Sequence, residues 1–250
     1  MGLAVAESIA RQPDQFSLAA KFSRSLKTNY LTGHSGIIEL CTKSDVVVDF
    51  SDKSGMSALL EAAIKTRAKL VIGTTGLDHT DKLLLEEAAK QILVVYATNT
   101  SVGANIVIEM AGHLAKVLKH YDAEIIDIHH RHKKDSPSGT ALSIGASIAN
   151  ARQHDFEEKA VFGRGRQYDD IRKEGEIGFS SVRAGGIYGE HEVIFAGPNE
   201  VINLGTKSLS RAAFADGALL AASWLCDSQQ KPGRVYSMKD VLSLHSLTSL

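Results

Sequence analysis

The side chains best suited to chemistry crowd into residues 124–141, which have the sequence EIIDIHHRHKKDSPSGTA. Six consecutive residues of this stretch are histidine, arginine or lysine: His129, His130, Arg131, His132, Lys133 and Lys134. A strand over 124–128 would lead into this loop, and a helix would follow it with Ser136 as the N-cap and Pro137 as its first residue. Amides at a helix start carry partial positive charge and attract carboxylates and phosphates. The pattern predicts an anion-binding active site, with a solvated basic loop as the alternative.

A second group of candidate residues lies where three apolar segments end. These ends read Asp49-Phe50-Ser51, Gly73-Thr74-Thr75-Gly76 and Ala97-Thr98-Asn99-Thr100. Small residues and hydroxyls at a strand end let a phosphorylated ligand approach backbone amides closely. Each segment alone could be a tight strand-to-helix turn. Together, the three ends predict a nucleotide-binding crevice.

The apolar segments themselves predict the sheet that positions these ends. Runs of apolar residues over 46–50, 70–73 and 92–97 alternate with helical patterns over 57–65 and 80–90. Uninterrupted apolar strands are typical of a parallel sheet covered on both faces, and ligands bind beyond the carboxyl ends of such strands. A helix over 2–11 and a short buried strand over 16–22 precede them. The sequence predicts an α/β, doubly wound, Rossmann-like domain.

The second half of the chain has a different pattern. A long helix over 104–120, the strand over 124–128 and a helix over 138–150 lead to a charged excursion or mobile loop over 153–176. Partly alternating segments from Gly178 onward predict antiparallel strands, and helices over 211–224 and 237–242 end the chain. We therefore expect a dinucleotide-binding domain of residues 1–101 and 211–250, and an α+β domain with a mixed sheet over 102–210. Further cations for the basic loop could come from Arg183, His191, Lys207 and Arg211.

Composition excludes several classes of function. The formal net charge is -1, so no global basic field favours nucleic acid or membrane surfaces. No apolar run approaches the roughly 18 residues of a membrane span. The two cysteines, Cys41 and Cys226, lie far apart, and no signal-peptide pattern begins the sequence. We expect a cytoplasmic protein with a small-molecule ligand, without nucleic acid or membrane partners.

The motifs VVVDFS, VIGTTG, VYATNTSVGAN, EIIDIHHRHKKDSPSGTA, VRAGGIYGEH and SMKDVL follow one another along nearly the whole chain. In this order they resemble the 4-hydroxy-tetrahydrodipicolinate reductase family, also called the dihydrodipicolinate reductase family, and HHRHKKDSPSGTA is the most specific of them. Asp127 and Ser136 stand where the family usually has Glu and Ala, which keeps charge or size.

The resemblance implies an activity and an assembly. The family reduces 4-hydroxy-tetrahydrodipicolinate, a ring dicarboxylate, to tetrahydrodipicolinate in diaminopimelate and lysine biosynthesis. NADPH or NADH donates the hydride, and a substrate domain whose sheet builds a homotetramer accompanies the dinucleotide-binding domain.

The resemblance also implies residue roles. By motif position, His129 corresponds to the proton donor and Lys133 to a second acid or electrostatic stabiliser. His130, Gly139 and Thr140 correspond to substrate-binding positions. The cofactor contacts correspond to Gly73, Thr74, Thr75, Ala97, Thr98, Asn99 and Thr100. Apart from the resemblance, we expect no metal site at His129, His130 and His132, because neighbouring histidines of a strand point to opposite faces and no acids that would orient such ligands are evident.

The start of the chain departs from the family pattern. Members begin with a strand and a glycine-rich phosphate loop of the form GxxGxMG, and Met1-Gly2 align with the last two residues of that loop. Such loops cradle the cofactor's pyrophosphate. On this alignment the first strand is missing. Either Met1 is an internal methionine of a longer protein, or the chain is a non-catalytic relative that retains dicarboxylate binding and assembly.

Cofactor choice depends on the residues after the second strand of the family pattern. This stretch reads Lys21-Phe22-Ser23-Arg24 and lacks the acid that often binds the adenosine ribose. Lys21 and Arg24 would favour a 2′-phosphate, so we expect NADPH over NADH. Both could instead be solvated charges. Another nicotinamide enzyme of the same two-domain plan, such as an aspartate-type dehydrogenase, is a weaker alternative, because that plan does not require HHRHK and SPSGT.

Overall fold

A computed structural model describes residues 1–23, 30–165, 171–227 and 229–245. The chain divides into two compact units. The first unit comprises the described residues of Met1–Ser101 and Ala212–Ser243, and the second is built on Val102–Arg211. No helix within the described ranges is long and apolar enough to cross a membrane.

The helices and strands are numbered in chain order. The helices are α1 (Gly2–Ala10), α2 (Gly33–Lys43), α3 (Met56–Thr66), α4 (His79–Ala89), α5 (Val102–Val117), α6 (Gly139–Ala151), α7 (Phe156–Lys159), α8 (Ala212–Asp227) and α9 (Met238–Val241), with a 3-10 turn at Lys53–Gly55. The strands are β1 (Val46–Asp49), β2 (Lys69–Ile72), β3 (Val94–Tyr96), β4 (Asp122–His129), β5 (Ala160–Phe162), β6 (Ile177–Arg183), β7 (Glu190–Ala196), β8 (Val201–Lys207) and β9 (Val235–Tyr236).

The first unit contains a parallel sheet in the order β1-β2-β3-β9. Alternate residues of its strands pack on opposite faces, which is why the strands are mainly apolar, with Asp49 and Lys69 at strand ends. On one face, Leu70 and Ile72 pack with side chains of α2, α3 and α4. On the other face, Val71 and Val95 pack with the small residues of α8. The expected parallel α/β sheet with helices on both faces is confirmed.

The second unit contains a mixed sheet in the order β5-β6-β4-β7-β8. β4 lies at its centre, parallel to β6 and antiparallel to β7. Its core forms where Ile125 of β4 and Phe195 of β7 pack with Ile144 and Ile148 of α6. α6 approaches the sheet closely at Gly145, where a Cβ would lie 2.4 Å from the ring of Phe179. The expected mixed sheet is confirmed.

Several details of the expectation were wrong. Residues 16–22 form no strand, and Leu18 is 44% exposed; only Phe22 makes an isolated bridge, to Leu31. The strands from Gly178 onward are not simply antiparallel, because β6 runs parallel to β4 and β5. The excursion over 153–176 contains α7 and β5, while α2 and β9 were not expected at all.

Candidate functional site

The basic loop of the second unit connects the end of β4 to the start of α6. His129 is the last residue of β4, and α6 begins at Gly139 with Ser138 as its N-cap. The expected cap at Ser136, with Pro137 inside the helix, was therefore wrong by two residues. Ser138 takes the position because its Oγ accepts the Ala141 N–H at 3.3 Å, while its own N–H donates to the carboxylate of Asp127 at 2.8 Å.

Asp127 is the centre of a buried polar cluster that we define as Asp127, His129, Ser138, Arg183 and His191. Its Oδ2 accepts the Ser138 N–H and Arg183 Nη2, both at 2.8 Å. Its Oδ1 lies 2.9 Å from His129 Nδ1 and 3.3 Å from His191 Nε2. The side chain of Asp127 is 1% exposed, so these groups replace water around the carboxylate.

These partners keep the carboxylate of Asp127 ionised. Burial alone would raise the pKa of Asp127, because it disfavours the charged form. Contacts with His129, His191, Arg183 and Ser138 act in the other direction, and the pKa of Asp127 lies well below its ordinary value. At neutral pH the cluster therefore contains a fixed negative charge.

The contact between Asp127 and His129 fixes which nitrogen of the imidazole faces the protein. The approach of Oδ1 to Nδ1 is off the direction of a straight hydrogen bond, but within the described residues neither buried atom has a better partner. On the other side of the ring, a Cβ at Gly189 would lie 3.0 Å from Nε2. The ring also meets that of His191 edge to face, with centroids 5.2 Å apart. Nδ1 of His129 therefore faces Asp127, and Nε2 lies beside Gly189.

Lys133 is held within the basic loop by a neighbouring acid. Its Nζ lies 2.9 Å from Asp135 Oδ1, and its side chain is 22% exposed. Partial burial would raise the pKa of Asp135, but the hydrogen bond and charge of Lys133 lower it. Arg183 Nη2 also donates to the Asp135 carbonyl at 2.6 Å, so the loop is fastened to β6. A cation is thus held close to the end of β4.

The other predicted substrate residues lie at the two ends of the same loop. His130 follows β4 directly and is half-buried, and its ring lies 6.3 Å from that of His132. Gly139 is exposed and Thr140 is half-buried in the first turn of α6. Asp127 connects the two ends, since it contacts both His129 and the N-cap of α6.

Of the four further cations, the structure places two in the cluster. Arg183 and His191 both contact Asp127. Lys207 instead pairs with Glu190 at 2.9 Å, and successive residues of β7 face opposite sides of the sheet, so this pair lies on the face away from His191. Arg211 is exposed.

Asp127, His129 and His191 also have the residue types and spacing of a metal site, with ligand atoms within 4.8 Å of one another. The other oxygen of the carboxylate, however, is bound by the guanidinium of Arg183 at 2.8 Å. A divalent cation would lie beside that positive charge and would compete for the same carboxylate. We therefore interpret the three residues as part of the polar cluster around Asp127.

In the first unit, the three strand ends are fastened to one another. Thr74 Oγ1 donates to Asp49 Oδ2 at 2.6 Å, and the Gly73 N–H donates to the Asp49 carbonyl at 2.8 Å. The Ala97 N–H donates to the Ile72 carbonyl at 3.0 Å, which extends the register of β2 and β3. Gly73 is required by packing, because a Cβ there would lie 2.2 Å from the ring of Phe50.

The remaining predicted cofactor residues differ in exposure. Thr75 and Thr98 are exposed, whereas Thr100 is buried and donates its hydroxyl to the Phe214 carbonyl at 2.6 Å. Asn99 Oδ1 accepts the Ser101 N–H at 2.9 Å. Lys21 Nζ lies 4.9 Å from the centroid of the Tyr30 ring. Arg24 lies outside the described residues.

The local sequence pattern predicts no role for Asp127, and it indicates Arg183 and His191 only as possible further cations. In the sheet, Asp127 lies directly opposite His191 of β7, and His129 lies opposite Arg183 of β6. The cluster therefore follows from the position of β4 between β6 and β7. The one available signal was the acidic residue two positions before His129, which lies on the same face of a strand.

Comparison with known proteins covers both units. Residues 1–100 match the family model described as dihydrodipicolinate reductase, N-terminus, and residues 103–242 match the model described as dihydrodipicolinate reductase, C-terminus. The 4-hydroxy-tetrahydrodipicolinate reductase of Rickettsia canadensis (strain McKiel) is 42% identical over 248 residues, 98% of this chain and 95% of that protein. The enzyme of the same name from Wolbachia pipientis wMel is 42% identical over 83% of this chain and 77% of that protein.

Solved structures show the same fold. The dipicolinate-bound dihydrodipicolinate reductase from Paenisporosarcina sp. TG-14 superposes with a TM-score of 0.71 at 19% identity, covering 94% of this chain and 93% of that one. GenD2 from gentamicin A biosynthesis, in complex with NAD, superposes with a TM-score of 0.57 at 10% identity, covering 96% and 87%. Because the sequence identities are only 19% and 10%, these two structures show a shared arrangement of helices and strands and nothing more.

Proposed function

The chain belongs to the dihydrodipicolinate reductase family, and from this premise we propose that it reduces 4-hydroxy-tetrahydrodipicolinate to tetrahydrodipicolinate with NADPH or NADH. The observation that carries the proposal is the 42% identity to the Rickettsia canadensis reductase. This identity extends over 98% of the chain and is not confined to a single motif. The product belongs to diaminopimelate and lysine biosynthesis.

The strand ends of the first unit have the properties that a nicotinamide nucleotide requires. Asp49, Gly73 and Thr74 are joined by short hydrogen bonds, so the surface beneath a ligand is fixed. Thr75 and Gly76 are exposed, and a Cβ at Gly76 would meet nothing within 4 Å. A flat or phosphorylated group can approach the backbone at such a place. Gly73, Thr74, Thr75, Ala97, Thr98, Asn99 and Thr100 are the proposed cofactor contacts.

The second unit provides the acid and the cations of the reaction. Loss of the 4-hydroxy group as water gives the ring a double bond conjugated with the imine, and a bound reduced nicotinamide would supply the hydride to that double bond. The ring must then accept a proton, and His129 donates it from Nε2, because Nδ1 faces Asp127. Lys133 stabilises the negative charge that develops, while Asp135 holds its ammonium group near the end of β4.

The dicarboxylate substrate is bound by the two ends of the basic loop. Amides of the first turn of α6, at Gly139 and Thr140, bind one carboxylate, helped by the positive end of the helix dipole. His130 binds the substrate from the end of β4. Dipicolinate, which is bound in the Paenisporosarcina structure, is a ring dicarboxylate and serves as a probe of this site.

NADPH is the proposed cofactor on the basis of Lys21. Its ammonium lies over the ring of Tyr30, and no acid for the ribose is present in Lys21-Phe22-Ser23. A 2′-phosphate would offer this lysine an anionic partner in addition to the aromatic ring. Michaelis constants for the two cofactors test the preference, and a lower constant for NADH would contradict it.

A homotetramer built through the mixed sheet is proposed because, within the described ranges, one face of that sheet carries apolar residues with no helix of its own unit over them. Ile126, Ile128 and Ile194 are half-buried on this face, and Val182 is 42% exposed. Sheet faces of this kind are typical of protein interfaces. Analytical ultracentrifugation tests the assembly, and a monomer at micromolar concentration would contradict it.

We place the protein in the cytoplasm. Cys41 and Cys226 are both free thiols, and thiols persist in a reducing compartment. Localisation of a tagged chain by cell fractionation tests the assignment, and recovery outside the cytoplasm would contradict it.

The activity is tested by following NADPH oxidation at 340 nm with substrate generated in situ from pyruvate and aspartate semialdehyde. A version extended upstream by a strand and a GxxGxMG loop is assayed in parallel. Turnover that requires both the aldehyde and the purified protein, and that dipicolinate inhibits, is the expected result. If both versions are folded and bind dipicolinate without turnover, the reductase proposal fails in favour of a non-catalytic dicarboxylate-binding protein.

A further inference from the structure

We propose that Asp127 is a positioning residue that sets the proton arrangement of His129 and joins the acid to the start of α6. The proposal rests on the proposed function, since it deepens the role of His129. It is carried by the geometry of one buried carboxylate whose two oxygens have different kinds of partner.

Among the described residues, Oδ2 of Asp127 faces only donors. The Ser138 N–H and Arg183 Nη2 each lie 2.8 Å away, and neither a peptide N–H nor a guanidinium can accept a hydrogen bond. The same guanidinium donates to the carbonyls of Asp127 at 3.0 Å, Val182 at 2.8 Å and Asp135 at 2.6 Å, so with Oδ2 its position is fixed by four acceptors. This half of the carboxylate holds the loop and the N-cap.

Oδ1 of Asp127 faces two imidazole nitrogens, which can donate or accept according to where the proton lies. His129 Nδ1 is 2.9 Å away and His191 Nε2 is 3.3 Å away. His191 Nε2 lies closer to Ser138 Oγ, at 3.0 Å, and that hydroxyl can either donate or accept. An ionised carboxylate only accepts, so it favours a proton on His129 Nδ1. For the neutral ring of His129 this selects the tautomer protonated at Nδ1, and it leaves Nε2 as the nitrogen that takes up and donates the catalytic proton.

Replacement of Asp127 by asparagine separates the role of Oδ2, which binds Ser138 and Arg183, from the role of Oδ1, which faces His129. The fixed donors on the Oδ2 side require an acceptor, so the amide oxygen of the new side chain takes that place and its NH₂ group faces His129 Nδ1. Nδ1 then becomes an acceptor, and the neutral ring carries its proton on Nε2. The same logic explains why the corresponding change in serine proteases leaves the geometry intact and yields the wrong tautomer. The contacts to Ser138 and Arg183 are retained.

Asp127→Asn therefore should lower kcat while leaving substrate-site affinity nearly unchanged. We expect a loss in kcat on the order of a hundredfold, the size of a general-acid contribution. The dissociation constant for dipicolinate, measured by calorimetry, should change by less than about twofold, because the α6 start is intact. Asp127→Glu keeps a carboxylate, in the form that the family usually carries here, and should retain most of the rate.

The tautomer is measured directly by magic-angle-spinning ¹⁵N NMR of protein labelled with [¹⁵N]histidine, with His129→Gln used to assign the signal. At alkaline pH the wild-type ring should carry its proton on Nδ1, and that of Asp127→Asn on Nε2. Asp122→Asn is the matched control, since Asp122 lies on the same strand but pairs with Arg172 instead of a histidine. It should leave kcat and the His129 signal unchanged.

Gly189→Ala tests the other side of the ring without touching the carboxylate. Its Cβ would lie 3.0 Å from His129 Nε2 and 3.3 Å from Cδ2, so the ring must move and kcat should fall about tenfold. Gly186→Ala is the control in the same segment, because a Cβ there meets nothing within 4 Å.

Several results would overturn the inference. They are an unchanged tautomer in Asp127→Asn, a kcat within a factor of two of wild type, or equal losses of kcat and dipicolinate affinity, which would indicate a purely structural role. Absence of turnover in the wild-type protein would instead contradict the proposed function, and the NMR measurement would still decide the orientation of His129.

Discussion

The strand ends of the two units are fastened in different ways. In the first unit, the ends of β1, β2 and β3 are joined by main-chain bonds and by one bond between a hydroxyl and a carboxylate, Thr74 to Asp49. In the second unit, the end of β4 carries a buried carboxylate surrounded by two histidines, an arginine and a helix N-cap.

In the proposed function, this difference separates cofactor binding from proton transfer and charge stabilisation. A surface of small residues and backbone groups can receive a ligand but offers no group that donates a proton at neutral pH. A cluster of ionised and ionisable groups in a water-poor place can stabilise charge that develops during a reaction. Substitutions at the β4 end should therefore act mainly on turnover, and substitutions at the ends of β1 to β3 mainly on the cofactor.

The largest effect is expected for Lys133→Met. Loss of one electrostatic stabiliser in an active site lowers kcat on the order of 100- to 1,000-fold, and NADPH affinity should be retained because the proposed cofactor contacts belong to the other unit. Steady-state kinetics and NADPH fluorescence titration measure the two quantities. Lys134→Met is a matched control in the same loop, since Lys134 is exposed. An unchanged turnover in Lys133→Met would remove this lysine from the mechanism.

A smaller effect is expected for Gly73→Ala, which changes the strand ends of the first unit. The new Cβ would lie 2.2 Å from the Phe50 ring, so the backbone between β2 and α4 must shift. NADPH should bind about tenfold more weakly through this strain, with dipicolinate affinity unchanged. Gly55→Ala is the control, because a Cβ there would meet only Ser51 Oγ at 3.9 Å. A loss of dipicolinate affinity in Gly73→Ala would contradict the separation of roles.

The smallest effect concerns acid stability. The pKa of Asp127 is lowered in the folded protein, so its ionised form contributes stability above the ordinary carboxyl value of about 4, and this contribution is lost as the pH falls further. The Asp127→Asn variant lacks this contribution. The free energies of unfolding of the wild-type protein and the variant should therefore become more similar as the pH falls from 6 to about 3. Hydrogen exchange of β4 amides measures the difference, and a constant gap would show that Asp127 does not titrate as described.

The sequence predicts the parallel sheet well, because strands covered on both faces have apolar runs, as in residues 46–48 and 70–72. Prediction from the sequence fails where the local pattern does not show which strand or helix a segment packs against. The apolar run at 16–22 finds no neighbouring strand among the described residues, and α2 was missed because GHSGIIELCTK has two glycines and weak helix propensity.

The basic loop and helix start of the site could be predicted from adjacent residues, but the cluster could not. Asp127, Arg183 and His191 are far apart in sequence and meet only because β4 lies between β6 and β7. The shift of the N-cap from Ser136 to Ser138 has the same origin, because the Ser138 N–H bonds to Asp127. Contacts that depend on strand order are invisible to local patterns.

The most direct test of the separation is a paired measurement on His129→Gln. The account predicts a fall in kcat of roughly a hundredfold, the contribution of a general acid, with NADPH and dipicolinate dissociation constants close to wild type. A kcat within a factor of two of wild type would contradict it, since the chemical step would then not depend on the histidine held by Asp127.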